Sequence, residues 1–251
     1  MTTIVNLTRA ELRKLVASRT FLIGLVLSVG LSVVSVALNA AVAGKNGQPA
    51  LGTVADTDKM LKLGIICCLA MLVLGIIGSG SEYRHKTIIT AALVAPRRGA
   101  LVAAKVIGIT VAGLVLSTAT FGLGLATAVA ELSAHHFHTL PADTTTLFVG
   151  SVVSGTLFGV IGVALGYITR STVAAVVAAV GWVLFVETII GNIVAPHLTK
   201  WLVSGAATAL TDPAAIATRT LTPATAVAVL GTYVVALLAV ASGLVLRRDV
   251  A

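Results

Sequence analysis

Six long apolar stretches divide the chain, at 21–43, 63–81, 106–130, 147–169, 171–194 and 224–246, and nearly every charge falls between them. A bilayer core needs about 20 apolar residues in a helix, so each stretch predicts a membrane-spanning helix. Barrel strands would instead alternate polar and apolar positions over about ten residues, a pattern these stretches lack. Only the fifth stretch carries a charge, Glu187. The pattern predicts an all-α, polytopic membrane protein with six transmembrane helices, forming a single domain over 1–251. Ala41-Val42-Ala43 looks like a signal cleavage site, but a signal's apolar region runs about 7–15 residues and the first stretch has 23. A retained span is expected.

Three further segments have their own pattern. On a helical wheel, residues 4–19 place Ile4, Val5, Leu7, Leu12, Leu15 and Val16 on one half and Asn6, Arg9, Arg13 and Lys14 on the other, with Glu11 near the boundary. That predicts a basic amphipathic helix lying in the membrane interface. After the second stretch comes Glu82-Tyr83-Arg84-His85-Lys86-Thr87, then an apolar run to Ala95, then Pro96-Arg97-Arg98-Gly99. Thr87 suits an N-cap and Pro96 disfavours helix at Ala95, which predicts a short helix over 87–95. An apolar helix of that length between charges needs a partner to cover it. Before the sixth stretch, His197 to Leu210 is mostly apolar but too short to span, which predicts a re-entrant or interfacial outer segment.

Composition strengthens this reading. The chain is 57% hydrophobic and 10% charged, with a mean hydropathy of +1.06. Soluble domains carry about 25% charged residues, so a soluble fold is excluded, and disorder with it. The net charge of +8 does not point to nucleic acid, because the basic residues sit in short clusters at the span ends. Arg9, Arg13, Lys14, Arg19, Arg84, Lys86, Arg97, Arg98, Lys105, Arg170, Arg247 and Arg248 make 12 on one side, against 5 on the other (Lys45, Lys59, Lys62, Lys200 and Arg219). Lys and Arg favour cytoplasmic connections. Both termini and the 82–105 loop are therefore expected in the cytoplasm, with 44–62, 131–146 and 195–223 outside. The adjacent Cys67 and Cys68 read as small buried hydrophobes.

Candidate chemistry is sparse. Gly155, Gly159, Gly162 and Gly166 share one face of the fourth span, a small-xxx-small pattern that permits close helix approach; Gly75, Gly78 and Gly80 end the second span. Glu187, with Asn192 beyond it, reads either as a pathway-lining carboxylate or as a hydrogen-bonded structural acid. His135, His136 and His138 with Glu131 and Asp143 are potential metal ligands, but their spacing fits no catalytic zinc motif, and no metal is expected. The sequence has no phosphate-binding loop and no nucleophile motif, so no catalytic residues and no bound cofactor are expected. No internal repeat supports an inverted-repeat transporter.

Glu82-Tyr83-Arg84, Thr87, Pro96-Arg97 and Lys105, placed directly after the second span, resemble the ABC-2 type transporter permeases, the membrane subunits of bacterial ATP-binding-cassette exporters. The resemblance covers essentially the whole chain. Lys86 and Ser81 stand where family members often have glycine. It implies that the loop helix is a coupling helix seated on a separate ATPase subunit, through Glu82, Tyr83, Arg84, Thr87, Ile88, Leu93, Pro96 and Arg97. It implies that the N-terminal helix, with Arg9, Glu11, Arg13 and Lys14, leans on the same ATPase. Two permeases, expected to be identical, and two ATPases would work together in the bacterial cell membrane, with ATP and Mg bound by the ATPases. Spans two and five would flank the route, with Glu187 and Asn192 near its outer mouth, for an apolar or amphipathic substrate such as a drug-like compound, peptide or lipid. The alternative class is a membrane enzyme or metal-binding protein using Glu187 and the outer histidines.

Overall fold

The structure is a computed structural model, and it describes residues 2–45, 47–84, 98–137, 143–194, 196–212 and 221–247. Among them the chain is mainly helical and has no strands. Helix α1 is Thr2–Ala17, α2 Arg19–Val42, α3 Val54–Met60, α4 Gly64–Arg84, α5 Arg98–Ala134 and α6 Thr144–Thr169. The fifth apolar stretch is α7 (Thr172–Gly181), continued by a π turn (Trp182–Val186), a single α turn (Glu187–Ile189) and a second π turn (Ile190–Val194). A 3-10 turn (Pro196–Trp201) leads into α8 (Val203–Thr211), and α9 (Pro223–Arg247) closes the described chain. Six helices are long and apolar enough to cross a membrane: this is a multi-pass membrane protein by length and composition. They match the six apolar stretches. The predicted coupling helix over 87–95, with Thr87, Ile88, Leu93, Pro96 and Arg97, lies outside the described residues, as does His138.

The helices α4 and α6 form the centre. Their apolar windows are 61% and 72% buried, against 22% for α2 and for the fifth span and 17% for α9. The glycine face of α6 is the reason. A Cβ on Gly162 would strike the Leu72 carbonyl of α4, one on Gly166 would strike Ser79 Oγ, and one on Gly159 would press on the Met71 methyl. From the opposite side, a Cβ on Gly75 would collide with the Gly159 carbonyl. The two backbones touch because glycines on each helix leave room for a carbonyl of the other. Gly155 faces Ser117 of α5 instead, so the same stripe seats α5 as well.

Around this pair, α5 packs on both helices and α9 packs on α6. One apolar cluster joins Leu72, Ile76 and Phe158 to Ala206, Leu210 and Leu230; another joins Met71, Leu116 and Val163 to Ala241. A third gathers Val36, Met60, Leu63, Phe121 and Leu147 at the opposite end from α1. There Thr53 caps α3 by accepting the Asp56 N–H at 3.3 Å. Between α2 and α5, where both partners are apolar and hydrophobic burial gives no preference, polar side chains fix the contact. Ser28 Oγ meets Thr120 Oγ1 at 3.0 Å and Ser32 Oγ donates to the Thr120 carbonyl at 2.9 Å. Cys67 and Cys68 are free and buried, as expected.

Helix α5 departs most from expectation. It spans 37 residues, starting at Arg98 rather than 106, so Lys105 lies inside a helix instead of closing a loop. Leucine at Gly162 would overpack the seam, and core overpacking typically costs about 1–3 kcal/mol. Gly162→Leu should lower the thermal midpoint and the monodisperse yield in detergent. Gly231→Ala, where a Cβ meets nothing within 4 Å, should leave both unchanged.

Candidate functional site

At the α1 end of the molecule, three segments distant in sequence meet through one buried ammonium. Lys105 is 8% exposed. Its Nζ donates to Glu11 Oε2 at 2.7 Å and to the Gly78 carbonyl at 3.1 Å, and pairs with Glu82 Oε1 at 2.8 Å. An ammonium has three donors, and all three are used. Lys14, on the exposed side, pairs with Glu11 Oε1 at 2.6 Å and lies 3.8 Å from Glu82. Two lysines and two carboxylates leave the cluster neutral, which is what makes such burial tolerable. Gly108, one turn beyond Lys105 on α5, lets α1 lie close: a Cβ there would sit 3.3 Å from the Glu11 Cβ.

The sequence pattern put Glu11 at the edge of an amphipathic wheel; the structure turns it inward. Leu7, Leu12 and Leu15 are half-buried with it, while Val5 and Val16, expected on the apolar half, are exposed, as are Arg9, Arg13 and Lys14. Ion pairing to Lys105 sets the rotation of α1 rather than the apolar wheel alone. Burial pushes the Glu11 carboxyl up, but the neighbouring Lys105 and Lys14 outweigh it and hold the group below its ordinary value of 4.5. A cavity of about 440 Å³ opens beside the cluster, with Leu15, Phe21, Leu74 and Ile77 among its walls.

Tyr83 adds a fourth segment. Its ring packs edge-on against Tyr167 of α6, with centroids 6.2 Å apart, and the Arg170 guanidinium lies 5.4 Å over its face. Arg170 closes α6 in the left-handed conformation, φ 55°, with its N–H on the Gly166 carbonyl. Glycine is usual there, and an L-residue gives up about 1–2 kcal/mol, so Arg170 holds a position that its cation–π contact helps to offset. Arg84 ends α4. The base of the segment 85–97 is thereby gathered: Glu82 and Tyr83 on one side and Lys105 on the other, with α1 across both.

A second site lies toward the opposite end. Glu187 is 1% exposed. Its Oε1 accepts the Trp182 Nε1–H at 2.8 Å and its Oε2 accepts the Ser204 backbone N–H at 2.7 Å. Ser204 is in the first turn of α8, so the carboxylate satisfies a donor that has no partner within its own helix and meets the positive helix end. Residues five apart diverge on an α-helix. The π turn Trp182–Val186, closed by the Glu187 N–H on the Trp182 carbonyl, turns Trp182 and Glu187 to one side. Asn192 falls in the second π turn. His135 and His136 are exposed beyond the end of α5, and among the described residues no group of three His, Cys, Asp or Glu is placed to hold a metal ion.

Lys105 as a hub escaped the sequence reading, although a signal was present. Of nine acidic residues, only Glu11, Glu82 and Asp249 lie on the basic side, so acids there call for a partner. The Glu187–Ser204 bond had no comparable signal, since it depends on a π turn and on where α8 begins. Compared with protein-family models the chain matches none, and no curated protein matches it.

Because the Glu11 carboxyl is held low, its ion pairs stabilise the fold above pH 4.5 and their contribution is lost only as the pH falls below that value. The difference in thermal midpoint between the wild type and Glu11→Gln in detergent should be constant from pH 7 to about 5 and shrink further in acid. Glu11→Gln should start lower and show a weaker acid limb. At the second site, glutamine supplies one acceptor where the carboxylate supplies two, and an orphaned buried N–H costs about 1–3 kcal/mol. Glu187→Gln should therefore already lower the thermal midpoint, and Glu187→Ala should lower it further.

Proposed function

We propose that the chain is the membrane subunit of an ATP-binding-cassette exporter of the ABC-2 type. The observation that carries this reading is the Lys105 cluster. The resemblance rests on Glu82-Tyr83-Arg84 and Lys105 at the two ends of one segment, with an N-terminal helix beside it. In the fold those elements meet, tied by buried ion pairs. A helix over 87–95 anchored this way would pass force from a docked ATPase to α4, α5 and α1 together. On this reading the basic side is the cytoplasmic one by charge bias, with both termini in the cytoplasm of the bacterial cell and the segment 85–97 in reach of an ATPase.

The remaining parts fit the same scheme. α8 carries its first turn on the buried Glu187 and its last residues beside Gly64 and Gly150, at the far ends of α4 and α6, as a re-entrant outer helix would. The fifth span turns Val173, Val177, Phe185 and Ile189 outward, an apolar face for a second copy of the permease. Two ATPase copies, which bind ATP and Mg, would complete the exporter, and its cargo would be apolar or amphipathic. Glu187, with both oxygens engaged within the chain, serves this scheme best as the support of the outer helix.

Affinity purification of the tagged chain from its native membranes should recover an ATPase with a phosphate-binding loop. In the purified complex Arg84→Ala should lose substrate-stimulated ATP hydrolysis while the permease still inserts. Glu82→Ala should lose it too and unfold at lower temperature, because Lys105 loses a partner. Wild-type coupling in both variants would sink the assignment.

A further inference from the structure

The cavity of about 440 Å³ beside the Lys105 cluster has two unlike ends. Its α4 wall, Leu74, Ile77, Gly78, Ser81 and Glu82, follows the i, i+3, i+4 spacing of one helix face and extends about 12 Å at 1.5 Å per residue. Glu82 ends that wall beside Lys14 of α1 and Lys105 of α5, which both pair with Glu11. Leu74 begins it, with Leu15 of α1 and Phe21 of α2 packed into the same apolar cluster. An occupant therefore lies against apolar groups at one end and meets ionised groups at the other. Gly78 leaves the wall bare between the two ends, since a Cβ there meets nothing within 4 Å.

The charged end sets the sign of that occupant. Lys105 is buried, and all three of its donors are taken within the cluster. Lys14 differs. Its side chain is 59% exposed, and it holds Glu11 at 2.6 Å but reaches Glu82 only at 3.8 Å. Exposed pairs of this kind are weak, so Lys14 can be displaced. Two carboxylates facing the one remaining ammonium then leave a negative charge uncompensated. An anion brought to the same place would face both carboxylates. Ser18, Thr20 and Ser81 add hydroxyls to the lining; these donate and accept alike, so they set no sign. A cation with an apolar body gains twice over Lys14: it pairs with the same carboxylates and also buries its body against Leu15, Phe21, Leu74 and Ile77. We propose that this cavity binds a small amphiphilic amine, with its ammonium between Glu11 and Glu82 in place of Lys14. The proposal uses neither the exporter reading nor any depth in a bilayer, and it stands or falls separately from both.

Isothermal titration of the purified protein in detergent, with the heat of empty micelles subtracted, compares three probes that share one body: naphthylethylamine, naphthylethanol and naphthylacetate. The amine should bind saturably and the other two should not. Lys14→Ala removes the competing ammonium and should tighten the amine about two- to fivefold, the worth of an exposed pair. Gly78→Leu puts a side chain into the cavity and should abolish binding. Gly231→Leu, at another glycine with open space around it but outside the lining, should retain it. Circular dichroism confirms that each variant is folded. Should Gly78→Leu not fold, Ser81→Phe fills the cavity from the next turn of α4. Equal binding of the alcohol overturns the proposal, because the site is then merely apolar. Binding of the acetate that is lost in Lys14→Ala overturns it too, because the site then takes anions. So does amine binding that never saturates, that persists in the filled variant, or that Lys14→Ala leaves unchanged or weakens.

Discussion

Everything in this bundle is arranged around the contact of two backbones. α4 and α6 approach until carbonyls of one lie against glycine Cα atoms of the other. In a bilayer, apolar side chains gain nothing by leaving lipid for protein, so helices associate through close packing and polar contacts. The glycine stripe supplies the packing. Its consequence is an order of burial: the central pair is enclosed, α5 leans on Ser117 opposite Gly155, and α2, the fifth span and α9 keep most of their apolar surface outward.

Charge organises what packing leaves undetermined. α1 has too little apolar surface to fix its own orientation, and Val5 and Val16 end up exposed. The Lys105 ammonium decides the matter by drawing Glu11 inward and holding Glu82 from the other side. Glu187 plays the equivalent part at the other end, where the first turn of α8 would otherwise leave a buried N–H without an acceptor. Each of the two sites joins separate elements through groups that are costly to bury alone and inexpensive to bury together.

The helices themselves were readable from the sequence because lipid imposes a simple rule: a span must be long and apolar. That rule located all six candidate spans, and the i, i+4, i+7 spacing of glycines located the seam. Neither rule reaches the sites. The third apolar stretch shows 25 residues free of charge, 106–130, while α5 runs 37 residues and holds Lys105, neutralised in place, within it. A wheel drawn from hydrophobicity cannot show that Glu11 is an inner residue, since its partner lies 94 positions away. Trp182 and Glu187 seemed unrelated because the spacing of five belongs to π geometry, and nothing in Trp-Val-Leu-Phe-Val announces a π turn.

That π turn is also a matter of phase. Between Gly181 and Glu187 the fifth span holds one more residue than an α-helix would use to turn through the same angle. Were the same residues to wind as an ordinary α-helix, every backbone bond would still be made and the hydrophobicity would be unchanged. The carboxylate, however, would then lie about 140° round from Trp182 at 100° per residue, away from Ser204. Composition and length would still describe a membrane span, yet α8 would have lost its anchor. The outer end of this protein thus depends on how one turn is wound, a property to which hydropathy is blind.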